Sequence, residues 1–466
     1  MKILVGNGFI MISNINIRLT RNKNKIKSIN NIAFPLMVNM VSGILMGLVG
    51  QAMIGRISLD AYGAVGLIDN TLYSVTGVLG MIAIAFNIHG AQSLGRNDEN
   101  EFLNLFSLGM YVSIFIGILF FLISILFGTH ILQHLFGIKG RVLKEALDYL
   151  NIFSLSVGLN MILFMFSAYL KVKNKTKYIF YGNTISSILN IMFSYVLIFG
   201  KCGFPQMGVT GAAIASVLSL SLNVLIYIFV VRIDKPLKLY NTNFKNIKKL
   251  HITALPLMGQ EFLESTVITI GINSILGRLG ILELSAYTLI FQIINFALMP
   301  MYAYSSASLT LVGKGKGASD LFEINDIPKL CIIISFLFSL FIAIVVIIFR
   351  NKVPYIITDD VNLIKMSSSY IVIGIIANVF NLPATVYKYS LQGINDEMWV
   401  FLSSVALNLF SLGIIFILTL VFRMGLYGVY IGIFIDYLLL SVIFILRYNF
   451  SLGKYRKNNL SKKTEI

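Results

Sequence analysis

The stretch "ALPLMGQEFLEST", residues 254–266, opens with five residues that nearly repeat "AFPLM" at 33–37. Two further pairs follow in the same order, "GRIS" at 55–58 with "GRLG" at 277–280, and "GVTGAA" at 208–213 with "GLYGVY" at 425–430. The offsets are 221, 222 and 217 residues. Three ordered matches at nearly one offset imply a chain built twice. If each half crosses a membrane an even number of times, both enter with the same polarity and are related by an axis along the membrane normal.

A membrane is what the composition asks for. Hydrophobic residues make up 57% of the 466 and charged residues 12%, where a soluble domain carries about a quarter charged. Runs such as "LGMYVSIFIGILFFLISILF" (108–127) and "LCIIISFLFSLFIAIVVIIF" (330–349) hold no charge and have the roughly 20 residues a helix needs to cross the hydrocarbon core. Between charged or glycine-rich breaks the sequence predicts twelve spans, at 31–54, 63–89, 103–127, 148–170, 178–199, 209–231, 252–276, 285–311, 329–349, 367–390, 399–422 and 427–447. The expected architecture is all-α and integral to the membrane, two parallel six-helix bundles flanking a V-shaped central cleft. The boundaries are a tail at 1–30, an N-terminal bundle at 31–231, a basic linker at 232–251, a C-terminal bundle at 252–447 and a tail at 448–466.

The net charge of +17 is not a nucleic-acid signature, because Lys and Arg fall in short loops and tails between apolar spans. They concentrate in alternate loops such as "KVKNKTK" (171–177) and "RIDKPLKLYNTNFKNIKK" (232–249), which places both termini in the cytoplasm and the protein in the cell membrane by the positive-inside rule. Residues 1–30 carry Arg18, Arg21, Lys23, Lys25 and Lys27 with no long apolar region before them, which excludes a cleavable leader. Cys202 in a loop and Cys331 in a helix imply neither a disulfide framework nor a thiolate metal site. His130 and His134, four apart in what reads as an outer loop, lack the glutamate of a metalloprotease motif, and no phosphate-binding lysine loop is present. Enzyme readings therefore lose ground to transport, with no cofactor and no metal beyond a possible coupling cation.

Ionisable residues inside spans mark function by default. Glu261 and Glu264 are three apart and share a helix face; their burial and mutual repulsion favour holding a proton or a cation. Glu264 falls near the bilayer midplane. Asp69 in the second span and Asp436 in the twelfth are the other acids, the first a candidate cleft carboxylate, the second either a structural hydrogen bond or a substrate contact. Asn273, Tyr287, Gln292 and Asn295 can complete a polar site, although hydrogen bonds between helices explain them as well. Lys388, a few residues from the loop "QGINDE", is expected to snorkel to the inner surface. Pro35, Pro256, Pro300 and Pro383 lie in or near helices, where each removes a backbone hydrogen bond and permits a bend.

Four motifs in order, "AMIGRISLDAYGAVGL" (52–67), "GVTGAAIASVLS" (208–219), "ALPLMGQEFLEST" (254–266) and "SLQGINDE" (390–397), resemble those of multidrug and toxic compound extrusion (MATE) transporters, within the larger group that includes polysaccharide and lipid-linked oligosaccharide exporters. The resemblance runs from about residue 31 to 447. It implies export of organic, often cationic, solutes in exchange for Na⁺ or H⁺ by alternating access, in a chain working as a monomer. The family's seventh-helix glutamate, eight residues after a proline, falls on Glu264. Its first-helix aspartate falls on Gly50, its fifth-helix aspartate on Ser194 after Asn190, and the tenth-helix aspartate of some members on Asn381, which can ligate a cation but cannot titrate. The implied ion-coupling residues are Glu264, Glu261 and Asn381, all in the C-terminal half. The other readings are a flippase for a lipid-linked saccharide or other large amphiphile, which requires Lys or Arg in the cleft and finds only Lys388, and a non-transporting membrane scaffold.

Overall fold

The computed structural model describes the backbone of residues 2–234 and 245–464, and side chains within 23–232 and 246–456 apart from Leu45 and Leu48. Among the described residues the secondary structure is helical, with no strand. Nine helices are long and apolar enough to span a bilayer: Lys23–Gly55, Leu59–Gly95, Glu99–His134, Gly140–Val172, Lys177–Phe199, Gly208–Arg232, Leu321–Ile348, Glu397–Val421 and Leu426–Arg456. Two bent pairs add a span each, Ile281–Ala297 with Met299–Gly317, and Val361–Ala377 with Asn381–Gly393. One further run completes six per half. It is Lys245–Phe262, Leu263–Ile268 and Thr269–Gly277, and its basic start and two carboxylates keep it below the apolarity of the others. We number these twelve runs in chain order.

The first run extends beyond its apolar core: its helix begins at Lys2, inside the predicted tail, and the twelfth continues to Thr464. The linker expected at 232–251 is helical up to Asp234 and again from Lys245; its centre, 235–244, lies outside the described residues. His130 and His134 sit on the last turn of the third run's helix rather than in a loop, because that helix outlasts the apolar stretch.

The packing is that of a bilayer solute, with small and weakly polar side chains inward and large apolar ones outward. In the ninth run Cys331, Ser335, Ser339 and Ala343 recur every four residues and are buried, while Ile333, Phe336, Leu337, Phe341 and Ile344 are exposed. Within the first half, a Cβ on Gly117 would stand 2.5 Å from the Gly158 Cα, so the third and fourth runs approach backbone to backbone.

Two spans are bent, by 51° before Met299 and 43° before Asn381. Pro300 and Pro383 lie in the first turn after each break, where a missing N–H leaves a carbonyl of the preceding helix unbonded and the ring forces the chain aside. The seventh run is irregular differently: Leu263–Ile268 forms a π-turn.

The halves meet at the end that carries the basic loops. Lys25 pairs with Asp326 at 2.6 Å and Lys249 with Glu101 at 2.7 Å. Tyr304 donates to Asn30, Thr310 to Asn87, and the Gln92 amide to the Gly393 carbonyl. His89 and Thr253 share a hydrogen bond of 2.9 Å, and Thr253 in turn donates to Glu397. A Cβ on Gly95 would lie 2.2 Å from the Lys314 carbonyl oxygen, and one on Gly317 2.1 Å from that of Gln92. Only glycine fits that seam, and the cleft of the two-bundle fold opens away from it.

Candidate functional site

The seventh run begins on the closed side of the cleft, where Thr253 is part of the seam, and Glu264 stands eleven residues further along, about 16 Å at helical rise. Pro256 and the π-turn lie on that path. A π-turn widens the helix by bonding i to i+5 and recurs at functional positions. None of its six residues is buried.

Lys388 is the partner of Glu264. Its ammonium lies 2.8 Å from Glu264 Oε2, whereas snorkelling to the surface was expected. The reason is local: a carboxylate within reach attracts an ammonium more strongly in a medium of low dielectric than distant water does. The other carboxylate oxygen, Oε1, accepts from the Gln260 amide at 2.8 Å. Gln260 also donates to Ser404 and accepts from the Gln392 amide at 3.0 Å. Two rungs result, Lys388 with Glu264 and Gln392 with Gln260. Each side of this ladder has residues four apart on one helix face, and the seventh and tenth runs cross the membrane in opposite directions.

Glu261 turns elsewhere. A Cβ on Gly77, in the second run, would stand 3.7 Å from Glu261 Oε1, so this carboxylate reaches across to the first half through a gap left by a missing side chain. Among the described residues it has no hydrogen bond, and it feels the charges of Lys388 and Glu264. Tyrosines surround the group: the Lys388 ammonium is 5.8 Å from the centre of the Tyr389 ring, and Tyr302 is within electrostatic range of Lys388, Glu264 and, from the first half, Tyr73.

The remaining candidates divide. Asp436 accepts from Ser411 at 2.7 Å, tying the eleventh and twelfth runs, and lies within electrostatic range of Glu264. Tyr287 packs its ring against Phe291 and Tyr430. Asn381 is buried with its amide oxygen taken by Thr385 at 2.9 Å; it begins the helix that carries Lys388, seven residues before it, so it stands apart from Glu264. Asn273 and Gln292 are exposed, Asn295 is half-buried, and none of the three bonds to the Glu264 ladder among the described residues. Asp69 accepts from the Tyr149 hydroxyl at 2.9 Å, which binds the second run to the fourth and gives this candidate cleft carboxylate a structural partner.

In the first half the family positions are uncharged. A Cβ on Gly50 would meet no heavy atom within 4 Å, Ser194 is buried, and Asn190 donates to Ser216 and Ser219. Asn39, Asn183, Asn223 and Tyr227 form a neutral network alongside. Sequence reasoning passed over Gln260, Gln392 and the role of Lys388, although the matched spacings of four in "GQEFLES" and "KYSLQG" were the signal.

A family model described as MatE matches residues 35–196 and again 256–418, starting at Pro35 and at Pro256. The chain is 26% identical over 448 residues to a "Probable multidrug resistance protein NorM" of Thermotoga maritima, covering 94% of this chain and 95% of that one. A Bacillus subtilis protein of the same description is 21% identical over 421 residues, 88% and 92% of the two chains. Among solved structures, one described as an outward-facing conformation of a multidrug resistance MATE family transporter shares the fold at a TM-score of 0.83, with 18% identity over 93% of this chain and 97% of that chain. Because the two family matches fall one on each half and together cover most of the membrane-embedded sequence, this chain belongs to the MatE family.

Proposed function

We propose that the protein is a secondary active antiporter that exports small amphipathic or cationic organic compounds by alternating access, in exchange for Na⁺ or H⁺. It works in this reading as a monomer in the cell membrane, its basic end and both termini cytoplasmic, its halves divided at the basic linker. The observation that carries it is the Glu261, Glu264 and Lys388 cluster, placed part-way along a run that faces both halves. A cluster of ionisable groups held near the cleft, in halves closed at one end, is what exchange of a cation for a solute needs. Multidrug relatives and the shared fold support the substrate class.

The deciding experiment is efflux of ethidium from proteoliposomes under an imposed Na⁺ or proton gradient. Export under one gradient identifies the coupling ion, and Glu264→Gln should abolish it while the protein remains folded. Export at the wild-type rate by that variant ends the reading.

The flippase alternative gains one observation, since Lys388 stands in the cluster and not at the surface. Against it, the ammonium is committed to Glu264 at 2.8 Å and is not free for a phosphate. Gradient-independent movement of a fluorescent phospholipid across the same vesicles would favour the flippase.

A further inference from the structure

The cluster holds two carboxylates and one ammonium, and the ammonium has chosen. Lys388 binds Glu264 at 2.8 Å, and Gln260 fills that carboxylate's second oxygen. The Glu261 carboxylate receives none of this: among the described residues it has no hydrogen bond, and it points to the gap at Gly77 between the two halves. We infer that Lys388 is the resident counter-ion of Glu264, and that Glu261 is the carboxylate that takes the positive charge of an organic monocation.

Charge and geometry lead to this together. Separating an ion pair is costly unless each member finds another partner, so an incoming cation meets less resistance at the acid that has none. With Lys388 in place the cluster lacks one positive charge, and one monovalent ligand completes it; a second would repeat the repulsion the ammonium now prevents. The Tyr389 ring lies beside the cluster, 5.8 Å from the Lys388 ammonium, and Tyr302 is within electrostatic range of Glu264; an aromatic face beside a carboxylate suits an aromatic or quaternary cation. The pair is partly exposed, 18% for the Lys388 side chain and 31% for that of Glu264, so the cluster is not sealed within the helix packing.

The same arrangement says what becomes of Lys388 when its partner is neutralised. Its ammonium already lies within electrostatic range of Glu261, so Glu264→Gln frees it to pair there and to close the site by internal capture. Removing both members of the pair leaves Glu261 alone, with the net charge of the native cluster.

This inference rests on the proposed exchange of a cation for a solute, but it is tested without any gradient, by equilibrium binding of ethidium to the full-length protein in detergent. Glu261→Gln should weaken ethidium binding by at least about tenfold. Glu264→Gln should weaken it by a similar factor, and Glu264→Gln with Lys388→Met should return it to within about threefold of the native value. Recovery in the double variant is itself proof of folding, and Glu261, whose side chain has no hydrogen bond to lose among the described residues, gives a variant expected to fold in any case. A double variant as weak as Glu264→Gln alone would overturn the inference. So would a Glu261→Gln protein that binds like the native one, or a native protein that does not bind ethidium at all. Failure of gradient-driven export with this binding pattern intact would remove the antiport reading alone.

Discussion

The Gln392 side-chain amide donates to the Gln260 oxygen at 3.0 Å, one helical turn nearer the basic end than the Lys388–Glu264 pair. The two contacts join the seventh run to the tenth, but they are not equivalent. Gln260 also holds Glu264 and Ser404, whereas the Gln392 side chain donates to Gln260. Gln260→Leu should therefore lower stability more than Gln392→Leu, by about 1–3 kcal/mol for the carboxylate oxygen left unpartnered. Thermal unfolding of the two variants in one detergent would decide; equal melting temperatures would show that Gln260 does not support Glu264.

The glycine seam predicts a conformational effect. Gly317→Ala sets a methyl group within 2.1 Å of the Gln92 carbonyl oxygen, and backbone must shift, at a cost of about 1–3 kcal/mol. The expected result is a looser basic end. Ala91 lies against Gly313 in that seam, so Ala91→Cys should react slowly with a hydrophilic maleimide in the native background and several-fold faster beside Gly317→Ala. Unchanged labelling would mean that the halves close without this contact.

Orientation can be read with the protein's own thiols. Cys202 is exposed, in the loop between the fifth and sixth runs, and Cys331 is buried. If the basic end is cytoplasmic, an impermeant maleimide added to intact cells should label Cys202, while Cys202→Ser with Lys175→Cys should be labelled only after permeabilisation. The reverse pattern would turn the molecule over and make the cleft open inward.

Asp69 and Tyr149 give the contrasting case of an intramembrane acid with a structural task. Asp69→Leu or Tyr149→Phe should cost about 1.5–3 kcal/mol, the range for a hydrogen bond to a charged group, and leave ethidium affinity within about twofold, because neither residue reaches the Glu264 ladder. A selective loss of ethidium binding without loss of stability would restore Asp69 to the transport path.

Much of this was legible in the chain because the signals are local. Apolar length marked the spans, and proline positions marked both bends, since each acts within a turn of itself. Glu264 was found by its distance from Pro256. Lys388 was misread because a four-carbon stem can extend toward water or toward a helix neighbour, and the choice depends on a 43° bend that sets the facing of its helix. The partner of Asp69 was out of reach of the sequence for the same reason at longer range, Tyr149 lying 80 residues further along the chain. The spacings of four in Gln260 with Glu264 and Lys388 with Gln392 were visible, but which two faces would meet is a tertiary fact.

Between their first two shared motifs the halves differ in length by one residue. "AFPLM" and "ALPLM" are 221 apart, while "GRIS" and "GRLG" are 222 apart, so the second copy has gained a residue between its proline and its glycine. The first run passes through the matching stretch as uninterrupted α-helix to Gly55; the seventh accommodates the surplus in the π-turn at Leu263–Ile268. In regular α-helix such a surplus would rotate whatever follows it by about 100°; the wider π-turn takes it up locally, so the helix beyond keeps its register. Asymmetry in a duplicated protein thus begins with a single surplus amino acid, and Glu264 lies in the turn that absorbs it.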